Sequence, residues 1–347
     1  MPHISIIQPA EFLKLASSIP VIDVRSPGEY AVGHIPGAFN IPLFSDEERA
    51  VVGTLYKQSG REAAIFEGFG IVGPKMQQFI RQARQVSPSR KLLIHCWRGG
   101  MRSENMAWLM HTAGFTVKVL QGGYKAYRRY IREMWSRPAP MVVVSGKTGT
   151  GKTEILHHIN DSGQQVLDLE GYAHHKGSAF GAIGETSQPT NEQFENDIAA
   201  QWLGFDHSKP VWIEDESRFI GSVWLPDSLY AAKQQALTLC VDMPKALRIT
   251  RLTKDYAGFP KEQLIHSVEK IGKRIGWDNM KQAIEAIHSG NFEKAIDIAL
   301  AYYDKTYAFD LTQKNKRRVI MIPVKTADAS AIAQQLLLVP AVQQLIK

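Results

Sequence analysis

Short strand-like runs at 21–24, 92–94 and 117–120 alternate with stretches, such as 75–85 and 103–113, whose apolar residues recur at helical spacing. Brief apolar runs bounded by polar turns mark strands buried on both faces, and the helices between them supply the crossovers that parallel strands require. The same rhythm returns further on, at 142–144, 165–169, 211–214, 237–241 and 319–322. Between the two stretches lies Arg137-Pro138-Ala139-Pro140, where the prolines end the helix before them. The pattern predicts an α/β fold of two domains in series, 1–137 and 138–347. Residues 261–307 read as helices without strands, a helical insertion on the second domain. A length of 347 residues agrees, since a single core stops growing at roughly 250–300.

Composition narrows the class. With 44% hydrophobic and 22% charged residues the chain is neither disordered nor fibrous. No apolar run approaches the roughly 18–20 residues that span a bilayer, and the N-terminus shows no basic stretch leading into an apolar one. A cytoplasmic address without a membrane partner is therefore expected. The two cysteines, Cys96 and Cys240, are too few for a disulfide framework or a cysteine zinc site, so each is expected as a free thiol. Cys240, between Leu239 and Val241, reads as a buried apolar residue.

Charge is uneven. Residues 1–137 carry 18 Lys and Arg against 10 Asp and Glu, and residues 138–347 carry 23 against 24, so the net +7 belongs to the first domain. Its densest cluster is Lys125, Arg128, Arg129 and Arg132, whose spacing places all four on one helix face. Such a face suits a polyanionic partner, or is simply solvated.

Cys96 follows the run 92–94 and precedes Trp97-Arg98-Gly99-Gly100-Met101-Arg102-Ser103. A thiol between a buried strand and a helix N-terminus, flanked by Arg98 and Arg102, is placed where loop N–H groups and cations favour the thiolate. Two chemistries use such a loop. One is sulfur or selenium transfer through a persulfide-like adduct; the other is phosphatase catalysis through a cysteinyl phosphate, with an arginine gripping the phosphoryl oxygens. The five residues between Cys96 and Arg102 suit a phosphatase, while many sulfurtransferase loops are one residue shorter.

Gly146-Lys147-Thr148-Gly149-Thr150-Gly151-Lys152-Thr153 follows the run at 142–144 and precedes a helical stretch, the context of a phosphate-binding P-loop. Gly146, Gly149 and Gly151 would expose backbone N–H groups to phosphate oxygens, Lys152 would add a charge, and Thr153 could coordinate Mg2+. An acidic partner should end a later strand. Of Glu214, Asp215 and Glu216, Asp215 is the expected magnesium or diphosphate partner, with Glu214 next. Any diphosphate ester satisfies these donors, so the motif does not by itself imply a nucleotide.

The segments 21–30, 33–38, 40–42, 114–115 and 120–123 resemble the signature of the rhodanese fold over most of residues 5–130. Rhodanese domain followed by P-loop domain resembles the order in bacterial tRNA 2-selenouridine synthases. Further support comes from 47–54, 56–58, 98–103, 122–126, 168–171, 177–181, 214–218, 220–221, 302–304 and 307. The resemblance implies an N-terminal rhodanese-like domain, a P-loop NTPase-like domain, and a transferase acting on wobble 2-thiouridine of tRNA. It implies two co-substrates: geranyl diphosphate, which alkylates the sulfur, and selenophosphate, whose selenium displaces the geranyl-thio group. Cys96, Arg98 and Arg102 would serve the selenium stage, the P-loop the prenyl diphosphate, and Lys125, Arg128, Arg129 and Arg132 the tRNA. Trp202, Trp212, Trp224, Tyr302, Tyr303 and Tyr307 are candidates for a prenyl pocket or for stacking on a base. Two other functions fit the residues themselves: a cysteine phosphatase fused to a P-loop kinase, and a non-enzymatic RNA-binding scaffold.

Overall fold

The structure, a computed structural model, describes residues 4–136, 139–313 and 318–346. It divides into two compact units, Met1–Met134 and Trp135–Lys347.

In the first unit, β1 (Ser5–Ile7), β2 (Val21–Asp23), β3 (Phe39–Asn40), β4 (Lys91–His95) and β5 (Thr116–Leu120) form one parallel sheet in the order β1-β5-β4-β2-β3. Helices α1 (Pro9–Ala16), α2 (Pro27–Val32), α3 (Asp46–Gln58), α4 (Gly60–Val72), α5 (Met76–Val86), α6 (Met101–Thr112) and α7 (Gly123–Met134) connect and cover it. The core gathers Ile22, Val24, Leu92, Ile94, Phe79, Met106 and Val119, so the apolar runs seen in the sequence are the buried strands. Strand β1 lacked a signal of its own. It is a three-residue edge strand with Ile6 exposed, too short to show a period.

The first apolar run ends in a polar knot. Asp23 and Arg25 are both fully buried, with Arg25 Nη2 donating to Asp23 Oδ2 at 2.6 Å and to Gly33 O at 2.7 Å. The guanidinium also lies 3.8 Å from the centre of the Tyr124 ring, and Asn40 Nδ2 donates to the backbone oxygens of both residues. Burial opposes the Asp23 charge, but His95 and Arg25 outweigh it and hold the carboxyl below its usual range. Removing either partner of a buried pair like this leaves a charge uncompensated, at a cost of about 3–5 kcal/mol.

The second unit repeats the plan. Strands β6 (Met141–Gly146), β7 (Gln165–Leu167), β8 (Val211–Glu214), β11 (Leu237–Asp242) and β12 (Val319–Pro323) make a parallel sheet ordered β12-β11-β6-β8-β7, and β9 (Phe219–Ile220) pairs antiparallel with β10 (Val223–Trp224). Around them run α8 (Lys152–Asp161), α9 (Leu169–Ala173), α10 (Asn191–Leu203), α11 (Asp227–Lys233), α12 (Lys245–Tyr256), α16 (Ala329–Leu337) and α17 (Pro340–Ile346). Every residue of β6 is buried, as expected of a central parallel strand covered on both faces.

Helices α13 (Lys261–Ile275), α14 (Trp277–His288) and α15 (Phe292–Gln313) follow one another without a strand. They share a core of Leu264, Val268, Ile271, Ala283, Ile287 and Ala299, distinct from the sheet core around Val142, Ile155, Trp212 and Leu239. Among the described residues no single helix is long and apolar enough to cross a membrane.

Candidate active sites: a thiol loop and a phosphate loop

Cys96 stands directly beyond β4, 3% exposed, with Sγ 3.2 Å from Ser103 Oγ; that hydroxyl donates to Gly100 O at 2.9 Å. The turn is fixed from below. Gly99 has φ +68°, and a Cβ there would lie 2.8 Å from both Gly122 N and Leu120 O. Gly123, at φ +60°, lies against Cys96 O, and a side chain there would collide with it. The backbone N–H groups of Tyr124 and Lys125 donate to Cys96 O and Trp97 O at 2.8 and 3.0 Å. The start of α7 thus forms the floor of the loop, which is why Gly122-Gly123 lies so far along the chain from the cysteine it serves.

The two arginines of this loop differ. Arg102 Nη1 and Nη2 donate to Glu29 Oε2 and Oε1 at 2.7 and 3.3 Å, and Glu29 also receives Arg49 and the backbone of Ser26. Burial works against the Arg102 charge, but Glu29 and, more weakly, Cys96 hold its pKa up. A guanidinium forked on a carboxylate is occupied, so Arg102 grips a phosphoryl group only if Glu29 releases it. Arg98 is exposed and has no hydrogen bond or ion pair with any described residue. Cys240 is buried beside the Tyr307 hydroxyl, 3.2 Å away.

The cationic helix needs one correction. Lys125, Arg129 and Arg132 are exposed, whereas Arg128 is buried at 6% exposure. At 100° per residue Lys125, Arg129 and Arg132 fall within about 60° of arc, while Arg128 lies at the flank that turns inward.

In the second unit, β6 runs into the P-loop and α8 opens at Lys152, with Gly149 and Gly151 at φ +84° and +75°. Helix α12 braces this turn. Buried Arg248 donates to Thr148 O at 3.1 Å and forks onto Asp304 of α15 at 2.9 and 2.7 Å, and the Arg251 guanidinium covers Gly151. Burial opposes the charge of Lys152, but Glu216, Glu170, Asp215 and Glu214 outweigh it and raise its pKa.

These carboxylates are not alike. Glu214 is fully buried, its Oε2 accepting from Leu169 N at 2.9 Å; burial pushes its pKa well above the usual range, with Asp168 and Glu170 adding to the effect. One of its oxygens is thus tied to the start of α9, while Oε1 is buried without a hydrogen-bond partner among the described residues. Asp215 Oδ2 accepts from Ser145 Oγ at 2.5 Å. Glu170 accepts from Thr153 Oγ1 at 2.5 Å, and its pKa is pushed up to about 7 by burial first and then by Glu216, against the pull of Lys152. Sequence reasoning gave no role to Glu216, Glu170, Arg248 or Arg251. Glu216 was visible in the acidic triplet and Glu170 in the segment 168–171, whereas Arg248 and Arg251 are distant in the chain and carry no local motif.

A narrow apolar cavity of about 60 Å³ opens beside the P-loop residue Thr148, walled by Phe180, Leu252, Tyr256, Val268 and Tyr303. Of the six aromatics singled out from the sequence only Tyr303 lines it; Trp202 and Trp212 are core residues with at most 1% exposure.

Known proteins match both units. A family model described as the tRNA 2-selenouridine synthase AAA domain matches residues 139–336, and one for the rhodanese-like domain matches 8–130. A Shewanella piezotolerans tRNA 2-selenouridine synthase is 36% identical over 87% of this chain and 92% of its own length. The chain belongs to the tRNA 2-selenouridine synthase family. A Shewanella woodyi member is 35% identical over 87% and 91% of the two chains, and one from Nitrosomonas europaea is 40% identical over 68% of this chain and 63% of its own. A solved N-terminal domain from Clostridium difficile 630 is 41% identical, with a TM-score of 0.35, over 37% of this chain and 98% of that one. In this tRNA 2-selenouridine synthase family member the first loop sets a thiol beside a hydroxyl, and the second sets Lys152 and Thr153 at the start of α8.

Proposed function

We propose that the protein replaces sulfur by selenium at carbon 2 of a wobble 2-thiouridine in tRNA, in two stages divided between the two loops. Family membership over both units supports the tRNA substrate and the element. The observation that carries the division is the surroundings of the P-loop. Its phosphate cradle borders hydrocarbon side chains, which suit the first carbons of an apolar tail better than a nucleoside; at about 60 Å³ the cavity takes only that first part of a prenyl chain, and the remainder lies outside it.

In the first stage the thiocarbonyl sulfur attacks the first carbon of geranyl diphosphate, a sulfur–carbon bond forms, and the carbon–oxygen bond to diphosphate breaks. The leaving diphosphate gathers charge, and Lys152 with the N–H groups of the loop stabilises it. Alkylation turns a poor leaving group into one that departs as a thiol. In the second stage the selenium of selenophosphate bonds to carbon 2, the carbon–sulfur bond breaks to release geranylthiol, and water cleaves the selenium–phosphorus bond to release phosphate; Cys96 is assigned to this stage. Arg98, exposed and unengaged among the described residues, is the cation available to the phosphoryl end of selenophosphate, while Arg102 first has to leave Glu29. Lys125, Arg129 and Arg132 are assigned to tRNA phosphates, with Arg128 bearing on the fold of the helix.

Among the described residues no group of three His, Cys, Asp or Glu side chains converges to hold a metal. A magnesium ion would therefore arrive on the diphosphate, with Thr153 and Asp215 as the protein's oxygens, and would screen its charge.

The test is nucleoside mass spectrometry after incubation with 2-thiouridine tRNA, withholding one co-substrate at a time. Geranyl diphosphate alone is expected to give the geranylated nucleoside, and selenophosphate added afterwards the selenouridine. Selenouridine formed without geranyl diphosphate overturns the two-stage order. ATP turnover at ordinary kinase rates overturns the diphosphate-ester assignment.

A further inference from the structure

The rhodanese unit contains an apolar cavity that neither its sheet nor its thiol chemistry explains. It has a volume of about 220 Å³ and lies between the α3–α4 hairpin and α6, walled by Phe44, Tyr56, Phe69, Met76, Met101 and Trp108. Helix α4 buries only Ala64 and Gly68, while Phe69 at the cavity stands 64% exposed; Tyr56 and Trp108 lining the same space are 57% and 52% exposed. Apolar surface concentrated in this way marks a binding site rather than scatter.

Two features say what fills it. The first is position: Met101 and Arg102, which line the cavity, belong to the first turn of α6, into which the Cys96 loop runs. The second is polarity. Arg61 and Arg102 line the same space, Arg61 reaching Met101 Sδ at 3.7 Å and Arg102 paired with Glu29, so the cavity sets hydrocarbon walls with polar ends beside a thiol loop. A cavity of roughly 150 Å³ admits a benzene ring, so 220 Å³ leaves room for a longer hydrocarbon.

We infer that this cavity receives the geranyl group of the S-alkylated uridine during the selenium stage and so brings carbon 2 to the thiol loop. The inference rests on the two-stage function proposed above. The first stage needs a pocket for the prenyl chain while it is esterified to diphosphate; the second needs one while the same chain is attached to the base. The thiol loop lies in the first unit, so the second pocket belongs there. Discrimination between alkylated and unmodified thiouridine then follows from apolar burial, which grows with each methylene placed in the cavity.

Phe69→Asp and Trp108→Asp test it, because both side chains are more than half exposed and neither supports the sheet core. Three measurements are made on each variant and on the wild type: geranylation of 2-thiouridine tRNA, selenation of pre-geranylated tRNA, and selenation of tRNA bearing S-methyl-2-thiouridine. The expected result is a KM for geranylated tRNA raised about tenfold or more, with geranylation and the S-methyl reaction unchanged and the melting curve preserved. Equal losses on the geranyl and methyl substrates, or no loss on either, overturn the cavity while leaving the two-stage function standing. A wild-type protein that makes no selenouridine from geranylated tRNA overturns the two-stage function and the cavity with it. Self-association through this face, abolished by Phe69→Asp with the geranyl-to-methyl ratio intact, also overturns the inference in favour of a second copy as occupant.

Discussion

The thiol loop and the phosphate loop share a plan in which a buried parallel strand ends in a glycine-bearing turn and a helix begins, yet their surroundings are opposite in charge. Around Cys96 stand Arg98 and Arg102, with Glu29 neutralising the second. Around Lys152 stand Glu216, Glu170, Asp215 and Glu214, so this cation of the P-loop faces four carboxyl groups. A thiol that must ionise is served by nearby positive charge. A lysine that must receive an anion gains nothing from surrounding acids unless some are protonated or displaced, and Glu214 and Glu170 have the raised pKa values that make this so. Carboxyl groups thus surround the cation of the second loop, whereas in the first a single carboxylate, Glu29, engages one arginine and leaves the other open.

Two substitutions break this contrast most sharply. Lys152→Ala should lower geranylation by a factor on the order of a hundred or more, since a single preorganised charge contributes that much to a leaving anion, while selenation of pre-geranylated tRNA continues. Cys96→Ser should give the mirror image, with geranylated nucleoside accumulating and selenouridine absent, because a hydroxyl is a far weaker nucleophile than a thiolate. Quantifying both nucleosides for each variant checks the pair; loss of both products in either variant, with the fold intact, ends the division of labour.

A third substitution asks whether the floor of the thiol loop is as rigid as it looks. Gly123→Ala adds backbone strain at φ +60° and a collision with Cys96 O, and should destabilise the first unit by roughly 3 kcal/mol. Denaturant unfolding followed by tryptophan fluorescence measures it. Next in size, removing Lys125 and Arg129 together should weaken tRNA binding and reduce the steepness of its logarithmic salt dependence by about 0.7–0.9 for each phosphate no longer neutralised. Arg128→Ala should instead act through stability.

A pH-dependent effect concerns Glu170. Its pKa in the folded protein is raised from 4.5 to about 7, so its favourable contribution is complete below about pH 4.5 and is lost as pH rises through 7. Glu170→Gln should therefore match wild type near pH 4 and melt at a higher temperature at pH 8. Parallel melting curves across that range would show that Glu170 ionises without penalty.

Much of this was legible in the sequence wherever the chemistry is contiguous. The run from Gly146 to Thr153 and the run from Cys96 to Ser103 are each a strand end and a helix start, so spacing alone located them. Legibility failed where partners meet through the fold. Arg248 reaches Thr148 and Asp304 across 100 and 56 residues, and nothing local announces it. Helix α4 shows another limit: its Phe and Ile residues have the composition of a core helix, and only packing shows that Phe66 and Phe69 face outward. Arg128 failed by geometry, since a cluster that shares a face in a helical projection still has an edge, and the edge is buried.

Helix α7 is bonded through its first turn to the backbone oxygens of Cys96 and Trp97, and it bears Lys125, Arg129 and Arg132 along a rise of roughly 10 Å. A polyanion seated on those side chains is therefore gauged from the sulfur itself: the same rigid rod that grips the strand sets the origin from which the reacting base is measured. Lengthening or kinking that rod would leave every charge and the thiol in place and still put them out of register.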